Sequence, residues 1–187
     1  MTSHTLPRTR KKEEKRENKL KYLTVTGLMT AMITVMTAYI CHIPTGINGG
    51  YIHFGDSVIY LAATLLPTPY ALAAAAIGGL LADLLTSPIW APATILIKMI
   101  IALPFTCKSR KIITPRNIAA SIIAYFISSI GYFFAESLLF GTQTALISSM
   151  SGSLIQSGGS AIFFILFGIA FDKTHIKTRL ISGIVEE

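Results

Sequence analysis

Four stretches of nearly unbroken apolar sequence, Tyr22 to Cys41, Pro69 to Thr86, Asn117 to Phe140 and Ser153 to Asp172, dominate this chain of 187 residues. Each is long enough to cross ~30 Å of hydrocarbon as a helix, the conformation that satisfies every backbone polar group within one segment. The chain is 52% hydrophobic and 13% charged, whereas soluble domains are about 25% charged, so a large soluble domain is excluded. The expected fold is an all-α integral membrane protein. Two shorter apolar runs, Phe54 to Leu66 and Pro92 to Phe105, carry proline at or beside an end and cross only with tilt, extension or protein neighbours. If both cross, the chain is a six-helix transmembrane bundle with both termini cytoplasmic. If neither does, four spans remain and every basic cluster stays on the same side, but Trp90 emerges on the other.

Charge placement supports that orientation. Eight of the sixteen Lys and Arg residues lie between Arg8 and Lys21, four more (Lys108, Arg110, Lys111, Arg116) share one connector, and Lys173, Lys177 and Arg179 follow the last apolar run. Basic segments flanking spans mark the cytoplasmic side. The expected organisation is a basic leader over 1–21, a membrane domain over 22–172 and a cytoplasmic tail over 173–187. The leader lacks interleaved aromatics and runs straight into membrane-grade sequence, which argues against nucleic-acid binding. The first apolar run has the length of a span and no small-residue cleavage site after it, so it reads as a retained helix. Cys41 and Cys107 fall on opposite faces, which disfavours an internal disulfide.

The outer connections in the six-span reading are His42 to His53, Ser87 to Ala91 and Gly141 to Gly152, all uncharged. The first reads HIPTGINGGYIH, whose Pro and Gly residues favour turns; it is either a plain connector or a lid over a cavity.

Four ionisable residues interrupt the apolar sequence: Asp56, Asp83, Lys98 and Glu136. A central Asp or Lys costs about 2.5–3.5 kcal/mol to insert, so such residues face a cavity or a partner. All four fall in the outer half, at the level of Asn48, Tyr51, His53, Trp90, Tyr132, Phe133, Gln143 and Gln156, which suits a polar pocket able to stack a flat heterocycle. The plainer alternative pairs Asp83 with Lys98 as a structural lock, makes Asp56 a helix cap, turns Glu136 to water and leaves the aromatic residues as interfacial anchors. His53 is expected in the lid rather than on a metal, because the four histidines form no close ligand pair on one helix. No metal or other cofactor is implied. Gly27 and Ala31 form a small-xxx-small step, and Ala71 to Gly79 is almost wholly small; both helices can approach another closely, within the chain or against a partner. Phosphate-loop, nucleophile-elbow, H-E-x-x-H and C-x-x-C motifs are absent from the sequence, so catalysis is not expected.

The stretches GGYIHFGDSVIYLAATLLP, AAAAIGGLLADLL and SPIWAPATILIKMIIALPF, in this order and with the small-xxx-small step before them, resemble the substrate-binding S components of energy-coupling factor (ECF) transporters, the bacterial vitamin and micronutrient importers. The resemblance covers about residues 22 to 172. It implies a multi-pass protein of the bacterial cytoplasmic membrane, N-terminus inside, that binds substrate from outside under its first and third outer loops. It also implies a separate transmembrane subunit and two ATPase subunits as partners, with the first helix docking on the former through the positions of Gly27 and Ala31. The commoner family residue at both positions is alanine. Family substrates include riboflavin, folate, pantothenate, pyridoxine-like and pyrimidine compounds, biotin, thiamine, cobalamin and queuosine precursors; the polar and aromatic residues favour a small planar heterocycle. Asp83 and Lys98 are expected to anchor it, Trp90 and Tyr132 to wall it, and Asp56, Glu136, His53 and Asn48 to complete the site. The rivals are a stand-alone proton-coupled carrier using Asp83, Lys98 and Glu136 as a relay, and a small membrane enzyme or assembly factor.

Overall fold

The computed structural model describes residues 8–40, 42–44 and 51–181; Cys41 and Asn48 lie outside them. Helix α1 spans Arg8–Ala38 and so begins well inside the basic leader. The mixed Lys, Arg and Glu there are good helix formers that support one another at spacings of three and four. Deeper in α1, Thr24, Thr26, Thr30 and Thr34 each donate to the carbonyl one turn back, which lets hydroxyls sit in an apolar helix without unpaired groups.

Beyond α1 the chain forms a short antiparallel pair, β1 (Ile43–Pro44) and β2 (Tyr51–Ile52), with Ile43 opposite Ile52 and Pro44 opposite Tyr51. Helices α2 (Asp56–Leu65), α3 (Thr68–Thr86), α4 (Ala91–Ala102), α5 (Pro115–Phe140) and α6 (Thr142–Lys173) follow, then a short α7 (Ile176–Ile181). A single 3₁₀ turn, Pro88–Trp90, joins α3 to α4. Among the described residues four helices are long and apolar enough to cross a membrane: Lys15–Ala38, Thr68–Thr86, Pro115–Phe140 and Ile155–Lys173. Their outward faces carry Leu28, Leu84, Phe134, Leu138 and Ile162, all exposed, as contact with lipid requires.

The two short apolar runs are helices of ten and twelve residues, ~15 and ~18 Å long at the α-helical rise, and neither alone matches the hydrocarbon thickness. Their burial differs from that of the long helices. All ten residues of α2 are buried, and the helix packs on α1, α3, α4 and α6. It is the central post of the bundle rather than a wall.

The small residues of α3 explain how the bundle closes. A Cβ on Gly78 would come within 2.8 Å of the Ile33 side chain on α1, and one on Gly79 within 2.9 Å of Thr94 on α4. Thr34 also donates to the Gly78 carbonyl at 3.2 Å. This run serves packing within the chain. Gly27 and Ala31 behave differently: both are exposed, and a Cβ on Gly27 meets nothing within 4 Å.

One expectation is corrected. The Gly141 to Gly152 connection is not a loop: α5 turns into α6 through Gly141 alone, at φ +92°, a left-handed conformation that glycine adopts without strain. Serine and glycine beyond it remain helical, as small residues do where membrane helices pack closely; a Cβ on Gly159 would run into the Phe54 ring. Nor is the basic connector between α4 and α5 slack. Asp172 accepts from the backbone N–H groups of Ile112 and Ile113 at 2.7 and 3.0 Å. Asn117 accepts from Thr106 N–H and donates to the carbonyls of Thr106 and Ile112. Lys108, Arg110 and Lys111 are thus held out on a fixed loop, with Arg116 in the first turn of α5, all exposed.

Overpacking a close helix contact costs about 1–3 kcal/mol, so Gly78→Val is expected to lower the melting temperature in detergent by several degrees while Gly27→Ala leaves it unchanged. Thermal unfolding followed by circular dichroism checks both.

Candidate functional site

Fixing α2 at the centre of the bundle determines where its first residue points. Asp56 is fully buried and accepts from the ammonium of Lys98 on α4, Nζ to Oδ1, at 2.6 Å. Its Oδ2 accepts from the side-chain amide of Gln156 on α6 at 3.1 Å. One carboxylate therefore joins three helices. Of the pairings left open by the sequence, Asp83 with Lys98 is not the one formed, and Asp56 makes no capping bond to its own helix. The cause is geometric: α3 presents Gly79 to the stem of Lys98, within 3.1 Å of its Cγ for an added Cβ, and the ammonium reaches past it to α2.

Asp83 is paired instead with the β1–β2 hairpin. Its Oδ1 accepts from the hydroxyl of Tyr51 on β2, whereas its buried Oδ2 has no hydrogen-bond partner among the described residues. Tyr51 stacks on His42 with centroids 4.1 Å apart and lies 5.4 Å from the ring of His53. Burial first, and then the Asp83 carboxylate, push the Tyr51 phenol well above its ordinary value, so it stays a donor. The hairpin is thereby tied to a buried carboxylate of the bundle. His53 is buried, and its Nδ1 accepts from Gly55 N–H at 3.0 Å, which leaves the ring proton on Nε2. Burial, reinforced by Lys98 and opposed by Asp56, lowers its pKa to about 3.

An aromatic wall stands next to these charges. Tyr132 on α5 shares a hydrogen bond of 3.0 Å with Thr94 on α4, and Lys98 Nζ lies 5.4 Å from its ring centroid. Trp90 packs edge-on to Tyr132, centroids 6.1 Å apart, and against Phe140. It is only 7% exposed, with an indole N–H that has no partner among the described residues; an interfacial anchor would instead keep that end wet. Glu136 is likewise buried and does not face water. It sits one turn above Tyr132, with Ser128 one turn below.

The structure therefore brings together Asp56, Asp83, Lys98, His53, Trp90 and Tyr132, and places Glu136 on the helix face of Tyr132. Asn48 lies outside the described residues. Sequence reasoning passed over Thr94 and the buried hydroxyls of Ser128, Ser157 and Ser160, which have no hydrogen-bond partner among the described residues. The spacing of Ser128, Tyr132 and Glu136 at intervals of four marks one face of α5 and could have revealed the first; nothing singles out Ser157 or Ser160 beyond their nearness to Gln156.

One end of the bundle thus collects buried charge, aromatic surface and polar groups without partners among the described residues, next to the hairpin, the kind of lining that small-molecule sites use. A family model described as ECF-type riboflavin transporter, S component, matches residues 17–173. The chain belongs to this family: it is an ECF S component, a multi-pass membrane subunit that binds substrate for an importer and is not an enzyme. No curated protein and no solved structure matches it.

Removing one partner of a buried ion pair leaves an uncompensated charge and costs about 3–5 kcal/mol. Asp56→Asn and Lys98→Met are each expected to unfold readily in detergent, and the double variant to regain much of the lost melting temperature. The unfolded chain protonates His53 below about pH 6.5, whereas the folded chain does not until about pH 3. Its contribution to stability is therefore complete above pH 6.5 and eroded as the pH falls toward 3. Melting curves should show a decline across that window that flattens in His53→Gln.

Proposed function

We propose that this chain captures a vitamin-like, small planar heterocycle from outside the bacterial cytoplasmic membrane and delivers it through an ECF module made of a transmembrane subunit and two ATPase subunits. In this reading all six helices α1 to α6 belong to the transmembrane bundle, both termini are cytoplasmic, and the Tyr51 hairpin is the outer lid. The observation that carries it is the cluster at one end of the bundle: Asp83 with a buried free acceptor oxygen, Trp90 with a buried free donor, and Tyr132 between them and Lys98. A ligand that seats between these groups satisfies donors and acceptors whose exclusion from water is otherwise uncompensated. Trp90 and Tyr132 supply flat surface for a ring. Asp56, Lys98 and Gln156 hold the floor, and His53 and Glu136 complete the rim; Asn48, also expected in the site, lies outside the described residues. The substrate classes open to this site are pyrimidine, pyridine, flavin and queuosine-precursor rings.

Gly27 and Ala31 serve as the docking step. Their outward position on α1, with open space over Gly27, supports contact with the transmembrane partner rather than with this bundle. The fixed basic connector and the start of α1 lie, in this topology, on the same cytoplasmic side as the energising subunits and anionic lipid headgroups.

Mass spectrometry of small molecules released from gently purified protein is the direct test. A stoichiometric heterocycle is expected, and its loss in Asp83→Asn that still melts cooperatively. An empty protein, under conditions in which another S component keeps its ligand, would sink the reading. Single cysteines at Ile89 and Lys111 in a cysteine-free background test the topology: an impermeant reagent on intact cells should label the first and spare the second. Equal labelling would place both on one side and remove α4 as a crossing element.

A further inference from the structure

The seam between α2 and α6 carries polar groups that the candidate site does not use. Hydroxyls elsewhere in the apolar helices donate back to a carbonyl three or four residues earlier, as Thr26, Thr30, Thr34, Thr64 and Ser121 do. Three hydroxyls behind Asp56 do not. Tyr60 on α2 and Ser160 on α6 are 0% exposed and Ser157 is 1% exposed, and none of the three hydroxyls has a hydrogen-bond partner among the described residues. Their order along the two helices brings them together. Asp56 accepts from Gln156 at 3.1 Å, and further along the seam the Tyr60 ring meets Phe164 edge-on, centroids 5.9 Å apart. Ser160 is one turn from Gln156 and one turn from Phe164, so it lies on the strip of α6 that faces α2, between these two contacts. The Asp56 carboxylate also acts electrostatically on the Tyr60 phenol. Beyond these groups the seam is closed by rings: Tyr60 stacks on Phe105 at 4.7 Å, and Phe105 meets Phe164 edge-on at 5.6 Å.

We propose that this closed seam is a buried hydration site, in which internal water bridges the hydroxyls of Tyr60 and Ser160 to the carboxylate of Asp56. A hydroxyl shut away without a partner is costly, and a space lined by several such groups takes up water where an apolar gap of the same size stays dry. The water accepts from a hydroxyl and donates to Asp56, whose oxygens keep free lone pairs after accepting from Lys98 and Gln156. Ser157, on the adjoining edge of α6, is a further partner for it. Charge decides against a metal ion. Asp56 is already matched by Lys98 at 2.6 Å and the hydroxyls are neutral, so a sodium or potassium ion would bring an uncompensated charge into a low-dielectric space. In this arrangement the ion pair is shut off from bulk water yet hydrated from behind, and Asp56 gains a hydrogen bond from a neutral donor.

The test is X-ray hydroxyl-radical labelling of the full chain in nanodiscs, read by peptide mass spectrometry. Radicals form wherever water is held, so a side chain shut off from bulk is oxidised only beside internal water. Tyr60 is expected to be oxidised, and in a short pulse of heavy-oxygen water its label should lag behind that of Tyr39, which is 67% exposed. Ser160→Ala should lower oxidation of Tyr60 several-fold and leave Tyr39 unchanged. Tyr60→Phe keeps an oxidisable ring at the same place and should show the same loss, which gives a second readout if the first variant does not fold. An unlabelled Tyr60 means a dry seam whose hydroxyls turn back to their own helices, and overturns the inference. Label that enters Tyr60 as fast as Tyr39 means open access from bulk and overturns it too. A melting temperature that rises when sodium or potassium replaces choline at equal ionic strength assigns the seam to an ion, with the same consequence. None of these readouts depends on the substrate-binding reading.

Discussion

The contact between Lys98 and Asp56 is the constraint around which the bundle is organised. A fully buried ammonium and carboxylate are each too costly to leave alone in a low-dielectric interior, so the positions of α2 and α4 are set by the need to keep the pair together. Gln156 draws α6 into the same arrangement. Once these three helices are fixed, the small face of α3 can close on α1 and α4, and Asp83 is left with Tyr51 of the hairpin as its partner. A pair of this kind adds little to net stability compared with apolar side chains of equal volume. What it supplies is a single permitted register for ten residues of α2 that have no lipid-facing side to orient them.

The two ends of the bundle are built in different ways. At one end, Asp172 and Asn117 satisfy the backbone of the α4–α5 connector at five points, which makes a stiff loop. At the other, among the described residues, Tyr51 donates to Asp83, His42 bonds the Thr37 carbonyl on α1 and β2 packs on α6. Breaking a few side-chain contacts frees a segment far more readily than unpairing a backbone network. The two ends therefore differ in how much must be broken to loosen them.

Much of this was legible in the sequence because membrane insertion penalises polar residues so heavily that each one left in an apolar run announces itself. Asp56, Asp83, Lys98 and Glu136 were found that way, and all four are buried. Who pairs with whom was not legible: Asp83 and Lys98 are closer in the chain, but Gly79 lets α3 lie against the stem of Lys98 while the ammonium reaches Asp56 on α2, a packing detail that hydropathy does not record. The Ser/Gly-rich stretch after Gly141 was misread as a loop because serine and glycine signal turns in water and close helix contact in lipid. The lengths of α2 and α4 were read correctly as short, yet burial of α2 on every side depends on four neighbours brought from distant parts of the chain.

That burial has a bearing on how the protein is made. A ten-residue helix with a carboxylate at its start cannot rest in lipid by itself, and the groups that stabilise Asp56 arrive 42 and 100 residues later in the chain. During synthesis α1, α3 and α5 can each enter the bilayer on their own hydrophobicity, but α2 cannot be enclosed until α6 has emerged from the ribosome. The N-terminal third of this protein is thus finished last, and a chain cut short before Gln156 would leave its central post without a socket.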